Sequence, residues 1–304
     1  MGCRVFDTGT DALLCDRFAC LLLFFLSLHS ISIVMKELLI RTVSGLLMGV
    51  VLLTCVFVSP WSWAALLLFI IVVGTFEMSR LLKMNSITGI IIGEALSISF
   101  FALPALVALH VIEPQWLILE MLIAMMPFLY ALFSVKHDAK PIFTYLFASL
   151  TFLSLPSALM LFMYREDLFD TLAGPRLIIL VFCLLWVNDI FAYLTGKLLG
   201  KHKLFPRISP GKTIEGSIGG LVFTMASLIV FCHYSQWFPI THAIGLAAIA
   251  VVFGTLGDLC ESMLKRQVGV KDSGKLIPGH GGILDRFDSI MFSVPFIFVY
   301  LLLL

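Results

Sequence analysis

A series of apolar runs, each close to the length that crosses a bilayer, constrains this 304-residue chain more than any other feature. Crossing about 30 Å of hydrocarbon in a helix takes about 20 apolar residues. Runs of that order cover 42–59, 61–76, 88–112, 115–134, 141–163, 177–199, 216–238, 241–264 and 289–304, and a tenth covers 18–34. With no water in the bilayer core, backbone N–H and C=O groups must pair within each segment, so the spans should be helices. Composition agrees, at 60% hydrophobic and 13% charged residues, against about 45–50% and about 25% in a soluble domain. That leaves too little polar surface to coat a globule of this size. The expected fold is all-α: a polytopic transmembrane helix bundle of about nine spans, plus an extra N-terminal apolar helix if 18–34 also inserts.

Lysine and arginine sort the loops into two sides. Lys36 and Arg41 precede the first of the nine spans, and Ser59-Pro60 follows it without charge. Arg80 and Lys83 come next, then a loop with only Glu113, then Lys136 and Lys140. The loop from Arg165 to Arg176 is net acidic, with Glu166, Asp167 and Asp170. Lys197, Lys201, Lys203, Arg207 and Lys212 form a basic segment, whereas the loop at Trp237 has no Lys or Arg. The last long loop holds Lys265, Arg266, Lys271, Lys275 and Arg286. The alternation predicts a cytoplasmic start near Met35. Residues 1–34 fit less well, because Asp7, Asp11 and Asp16 beside Arg4 and Arg17 do not make a signal-peptide n-region. The expectation is that Met35 is the true start and the stretch before it a misassigned extension.

Two regions differ in character. Residues 35–163 read as hydrophobic helices with short loops, containing two acids at membrane depth, Glu94 and Glu120. Such acids are functional candidates, or carboxyls satisfied by a neighbouring helix. In residues 164–304, charge, Gly, Ser and Thr concentrate in two cytoplasmic segments and the helices that feed them. The seven cysteines are scattered, without metal-type spacing, and read as small core residues.

Three stretches carry chemistry. In Asn188-Asp189…Tyr193…Gly196-Lys197…Gly200, helical spacing puts Asp189 on the face of the glycines, which permit close approach of a helix or ligand. Ser209-Pro210-Gly211-Lys212-Thr213…Glu215-Gly216…Gly219-Gly220 resembles the end of a Walker A loop, but Pro206 stands where the first Gly would be, so a P-loop is rejected. A small-residue turn with a Lys and a hydroxyl at a helix start still suits phosphate. In the third, Asp258, Glu261, Ser262 and Lys265 lie at i, i+3, i+4 and i+7, one helix stripe. A loop follows with Arg266, Lys271-Asp272, Ser273-Gly274-Lys275 and Pro278-Gly279-His280-Gly281-Gly282, closing at Asp285-Arg286-Phe287-Asp288. Carboxylates suit Mg²⁺ shared with substrate phosphates. Lys and Arg neutralise phosphate oxygens, and Gly281-Gly282 lets backbone N–H groups approach an anion.

The run from Ser262-Met263-Leu264-Lys265-Arg266 through Lys271-Asp272-Ser273-Gly274 to Ile277-Pro278-Gly279-His280-Gly281-Gly282-Ile283-Leu284-Asp285-Arg286-Phe287-Asp288 resembles the signature of the phosphatidate cytidylyltransferases, or CDP-diacylglycerol synthases. The 188–200 and 209–220 segments look like the family's too, with one departure: Gly211 stands where many members have Lys. The resemblance covers roughly 35–304, though the N-terminal part is similar only in hydropathy and its basic start. It implies attack of a phosphatidate oxygen on the α-phosphorus of CTP, giving CDP-diacylglycerol and pyrophosphate. It assigns metal binding to Asp258 and Asp285, with Mg²⁺ as the ion and room for a second cation. Glu261 and Asp288 would be accessory, with Asp189 and Ser262 beside them. Lys265, Arg266, Lys271, His280 and Arg286 would hold phosphates of CTP or lipid, facing a site of Ser209, Lys212 and Thr213. It also implies a homodimer in a bacterial-type inner membrane, active on the cytoplasmic side, with membrane lipids and no nucleic acid as partners.

Two other readings compete. A transporter would spread its polar residues along the membrane normal, using Glu94, Glu120 and Asp189, whereas here they cluster at cytoplasmic helix ends. A CDP-alcohol phosphotransferase would need Asp-Gly, Ala-Arg and paired Asp residues in an order this chain lacks.

Overall fold

A computed structural model describes residues 35, 39–133, 139–169, 174–235 and 239–304. The expectations for residues 1–34, Lys36, Lys136, Asp170 and Trp237 lie outside the described residues. Among the described residues, seven helices are long and apolar enough to cross a membrane: α1 (Leu39–Val58), α2 (Pro60–Leu81), α3 (Ile87–Ala108), the Pro141–Phe162 span, α8 (Pro175–Leu199), α9 (Ile214–Ser235) and α10 (Ile240–Val268). The Pro141–Phe162 span is built from α5 (Ala139–Ala148), a π-helical turn at Ser149–Ser154 and α6 (Leu155–Phe162). The chain is thus an all-α polytopic membrane protein.

Of the nine expected spans, two differ from the other seven. The run at 115–134 opens as a 3₁₀ turn, Pro114–Leu117, and continues as the shorter α4 (Ile118–Phe133), with Pro127 inside it. The final helix, α11 (Leu284–Leu302), carries Asp285, Arg286 and Asp288 in its first two turns. A four-residue helix, α7 (Glu166–Phe169), lies in the acidic loop. The segment expected as a turn at a helix start is instead an antiparallel hairpin, β1 (Lys203–Phe205) with β2 (Ser209–Thr213). Its pairing runs from Lys203 opposite Thr213 to Phe205 opposite Ser209. Extended backbone forms here because Pro206 and Pro210 resist continuation of a helix.

Local chemistry sets the boundaries. Ser59 caps α2, accepting from Ser62 N–H at 3.1 Å while Ser62 Oγ accepts from Ser59 N–H at 3.0 Å, and Pro60 occupies the first turn where no N–H is needed. Ser86 caps α3 through Gly89 N–H at 3.1 Å. Gly269 ends α10 in the left-handed conformation at φ +81°.

Small residues bring helices together. A Cβ on Gly216 would meet Ala192 O at 2.7 Å, and one on Gly220 would collide with Asn188, so α8 and α9 pack backbone to backbone. Gly257 similarly admits α11 at Asp288 O. The two groups of helices meet through Trp63 of α2, which is fully buried and edge-on to Phe182 of α8 at 6.2 Å. Phe182 in turn meets Phe287 of α11 at 6.4 Å, also edge-on. These contacts hold the start of α11 against both groups.

Candidate active site

The charged residues of α10 and α11 converge. Lys265 Nζ lies 2.6 Å from Asp285 Oδ1 and also in ion-pair contact with Glu261, one turn back on α10. Asp285 Oδ2 accepts from Gly282 N–H at 2.8 Å and Ser273 N–H at 2.9 Å. Lys212, at the end of β2, reaches Asp258 Oδ2 at 2.7 Å, and Ser262 Oγ donates to Asp258 Oδ1 at 3.2 Å. The stripe expected along α10 therefore faces one place.

That place is a cavity of about 350 Å³ whose polar lining includes Asp189, Asp258, Glu261, Lys265, Asp272, Asp285, Arg286 and Asp288. A second cavity of about 580 Å³ adjoins it, lined by Asn188, Lys197, Ser209, Lys212, Thr213 and Ser217. Asp189 and Asp258 belong to both and form the shared wall. A third, almost wholly apolar groove of about 270 Å³ runs between α1 and α2 under Leu276–Pro278 and shares Met48 with the charged cavity.

Desolvating buried charges costs several kcal/mol per ion, which mutual attraction at best roughly offsets. Stability therefore does not explain a cluster of Lys265, Glu261 and Asp285 in which Glu261 is 2% exposed. Its Oε2 meets the Lys265 ammonium, whereas its buried Oε1 accepts no hydrogen bond. Six acids around one cavity, faced by Lys265, Arg286 and, across Asp258, Lys212, leave an excess of negative charge that a divalent cation would neutralise. Among the described residues no three His, Cys, Asp or Glu side chains already stand together as a metal cluster. The fit is thus one of charge and ligand type: hard carboxylate oxygens line one cavity, and two of the acids, Asp189 and Asp258, stand on the wall that a second cavity shares.

Other candidates have further partners or lie outside the cavities. Thr213 Oγ1 accepts from Gly216 N–H at 3.1 Å and caps α9. Arg266 is spent on backbone carbonyls, Nε to Ile208 O at 3.2 Å and Nη1 to Val270 O at 3.3 Å. Neither Arg266 nor Lys271 lines the two polar cavities. Asp288 accepts from the N–H of its neighbour Ser289 at 2.6 Å. Nothing lies within 4 Å of a Cβ built at Gly211, so a longer side chain has room there.

The glycine-rich loop is a tight turn. Ile277 and Gly281 exchange backbone hydrogen bonds at 2.9 and 3.1 Å, with Gly279 at φ +74° and Gly281 at φ +83°. L side chains are strained at both angles. The turn is seated on α1: Ser44 Oγ donates to Pro278 O at 3.0 Å and lies 2.8 Å from His280 Nδ1. Arg286 Nε donates to His280 O at 2.8 Å. Burial holds the His280 imidazole below its usual pKa, and the positive charges of Arg286 and Arg41 add to this. The anion that the backbone approaches at Gly282 is the protein's own Asp285 carboxylate.

The acids expected at membrane depth do not line these cavities. Glu94 accepts from Thr75 Oγ1 at 2.8 Å, the partner on a neighbouring helix that the structural alternative required. Sequence reasoning passed over Glu77, which is 4% exposed near the end of α2. It accepts from Ser273 Oγ at 3.1 Å, Ile283 N–H at 3.1 Å and Leu284 N–H at 3.0 Å. An acid immediately after the apolar run at 61–76 was the only available signal.

The site of this helical membrane protein gathers acids and bases where two polar cavities share a wall and one of them adjoins an apolar groove. Comparison with known sequences agrees: the model of the cytidylyltransferase family matches residues 39–304, and the chain belongs to that family. Among similar curated proteins, the phosphatidate cytidylyltransferase of Staphylococcus saprophyticus is 38% identical over 244 residues, 78% of this chain and 90% of the relative. That of Staphylococcus haemolyticus is 38% identical over 247 residues, with the same coverage of both chains. That of Staphylococcus aureus reaches 48% over 130 residues, 42% of this chain and 50% of the relative.

Proposed function

We propose that this protein transfers CMP from CTP to phosphatidic acid, forming CDP-diacylglycerol and pyrophosphate. The observation that carries the reading is the wall of Asp189 and Asp258 shared by two polar cavities, one of which meets an apolar groove at Met48. The larger cavity, with Lys197, Ser209 and Lys212, takes CTP. The charged cavity takes the phosphatidate phosphate, with an acyl chain in the groove between α1 and α2.

A phosphate monoester has its second pKa near about 6 and is largely ionised at neutral pH. No side-chain nucleophile or strong base is then needed. A phosphatidate oxygen forms a bond to the α-phosphorus, the bond to the β-phosphate bridging oxygen breaks, and pyrophosphate leaves. What remains is to bring two polyanions into line, by positioning and charge neutralisation. Lys212, Lys265 and Arg286 supply positive charge around the reacting groups, and Asp285 aims the Lys265 ammonium. His280 sits in the turn whose carbonyl accepts from Arg286 and so helps to aim that guanidinium. The exposed Lys271 meets phosphates arriving from water.

Asp258 and Asp285, with Glu261 and Asp288 as accessory groups and Asp189 across the wall, would hold Mg²⁺. Bound there, Mg²⁺ would neutralise phosphate oxygens, and the acid count leaves room for a second cation. The chain would cross the membrane nine times, α4 and α11 completing the set, in a bacterial inner membrane with the site facing the cytoplasm. The alternation of basic and non-basic loops supports that orientation. A homodimer is the proposed assembly.

The test supplies purified protein with CTP, phosphatidate and Mg²⁺ and measures CDP-diacylglycerol and pyrophosphate in equal amounts. Absence of lipid product from folded protein would reject the reading, and nucleotide-independent solute flux in liposomes would favour a transporter instead.

A further inference from the structure

We infer that Glu77 is a positioning residue for the active site: from α2 it pins the two ends of the signature loop so that Asp285 meets Lys265. The inference deepens the reaction proposed above and rests on that reading.

Three donors converge on the Glu77 carboxyl, all from the loop or from the first residues of α11. Ser273 Oγ and Leu284 N–H reach Oε2 at 3.1 and 3.0 Å, and Ile283 N–H reaches Oε1 at 3.1 Å. Ile283 and Leu284 immediately precede Asp285, so their amides are among the unpaired N–H groups of the α11 start, where an acid is favoured. Ser273 links the two carboxyls: its hydroxyl donates to Glu77 while its N–H donates to Asp285 Oδ2 at 2.9 Å. Gly274 and Gly282 pack against Glu77, and a Cβ at either would collide with its carboxyl oxygens. Gly274 and Gly282 therefore make room for an acid some 200 residues away, as the separations of 196 and 207 residues in its hydrogen bonds record.

Glu77 does not line either polar cavity. Its effect must pass through Asp285, and so through the direction of the Lys265 ammonium at 2.6 Å. A group that orients a functional residue in this way typically changes activity by about 10–100-fold when removed.

The experiment compares Glu77→Ala and Glu77→Gln with wild type in the full-length protein, in nanodiscs. Rates are counted per folded molecule, judged by melting and a monodisperse elution peak. The expected result is a kcat about 10–100-fold lower for Glu77→Ala with little change in KM for CTP. Glu77→Gln should recover part of the loss, because its amide oxygen can still accept from one or two of the donors. Hydrogen exchange at the amides of Ser273, Ile283 and Leu284 should quicken in Glu77→Ala while the amides of α8 and α9 stay as in wild type. A residue that merely supports the fold would reduce the yield of folded protein and leave kcat per folded molecule unchanged. That result overturns the proposal, as does failure of both variants to fold. Wild-type protein without transferase activity would instead reject the reaction, and the exchange data would still report whether Glu77 orders the loop.

Discussion

The helices before residue 164 and those after it bury different things. In the first group the interior is mostly apolar, and away from Glu77 its polar contacts are single hydrogen bonds between helices, such as Thr75 with Glu94 and Ser154 Oγ with Ser97 O at 2.9 Å. In the second group, ions are drawn into the interior at Lys265, Glu261 and Asp285, with the partly exposed pair of Lys212 and Asp258 beside them. The difference teaches a division of labour. The second group holds the charged groups, and the first holds the loop that presents them, through Glu77 of α2 and Ser44 of α1. A charge-rich site is not made by the charge-rich half alone.

The comparison is open to several breaks. Asp285→Asn keeps size but takes the charge from Lys265, and is expected to cost at least about 100-fold in transferase rate, the scale of losing one aligned electrostatic contact. A rate near wild type would remove the second group from the chemistry. Next in size is a pair of glycines. Gly282→Ala places a methyl against Ser273 and Glu77 and should cost about 10-fold or more. Gly49→Ala, in α1, meets nothing within 4 Å and should be silent. Equal effects would mean that loop placement is not the sensitive step.

Melting followed against pH probes the seam between the groups. Burial, then Arg286 and Arg41, lowers the His280 pKa below 6.5 in the folded protein, so the unfolded chain binds the proton more readily. The contribution is fully present above pH 6.5 and is lost as pH falls through the folded pKa. His280→Gln should flatten that part of the melting profile, and an unchanged profile would show that the turn is not held through a neutral imidazole. The smallest effects are expected from acids that line neither polar cavity, Glu94 in the first group and Asp167 in the second. Glu94→Gln, which retains an acceptor for Thr75, should leave the transfer rate near wild type; a large loss would place chemistry at membrane depth. Asp167→Asn breaks an exposed pair with Arg165 and should change neither rate nor melting measurably.

Much of the architecture was legible along the chain. Apolar length gives helices in lipid, and the Ser59-Pro60 and Gly269 boundaries follow from capping chemistry that is local. The stripe Asp258, Glu261, Lys265 was readable because three-to-four spacing is itself the geometry of one helix face. Two features resisted for the same reason. The hairpin at 203–213 is a pairing across a turn beside membrane helices, too short to show a period of two. The separation of Arg266 from its neighbour Lys265 is a matter of which side of α10 meets β2 and the loop.

By itself, then, the chain's order of residues determined that it is helical and membrane-embedded, and which short segments carry acids, bases and glycines. Those are properties of spacing and of solvent, and need no knowledge of neighbours. Tertiary structure alone decided that Lys212 would neutralise Asp258, that Asp285 would face Lys265, and that Glu77 would close the loop from another helix. Such pairings join residues tens to hundreds of positions apart, and only the packing of helices against one another selects them from the many that the charges would allow.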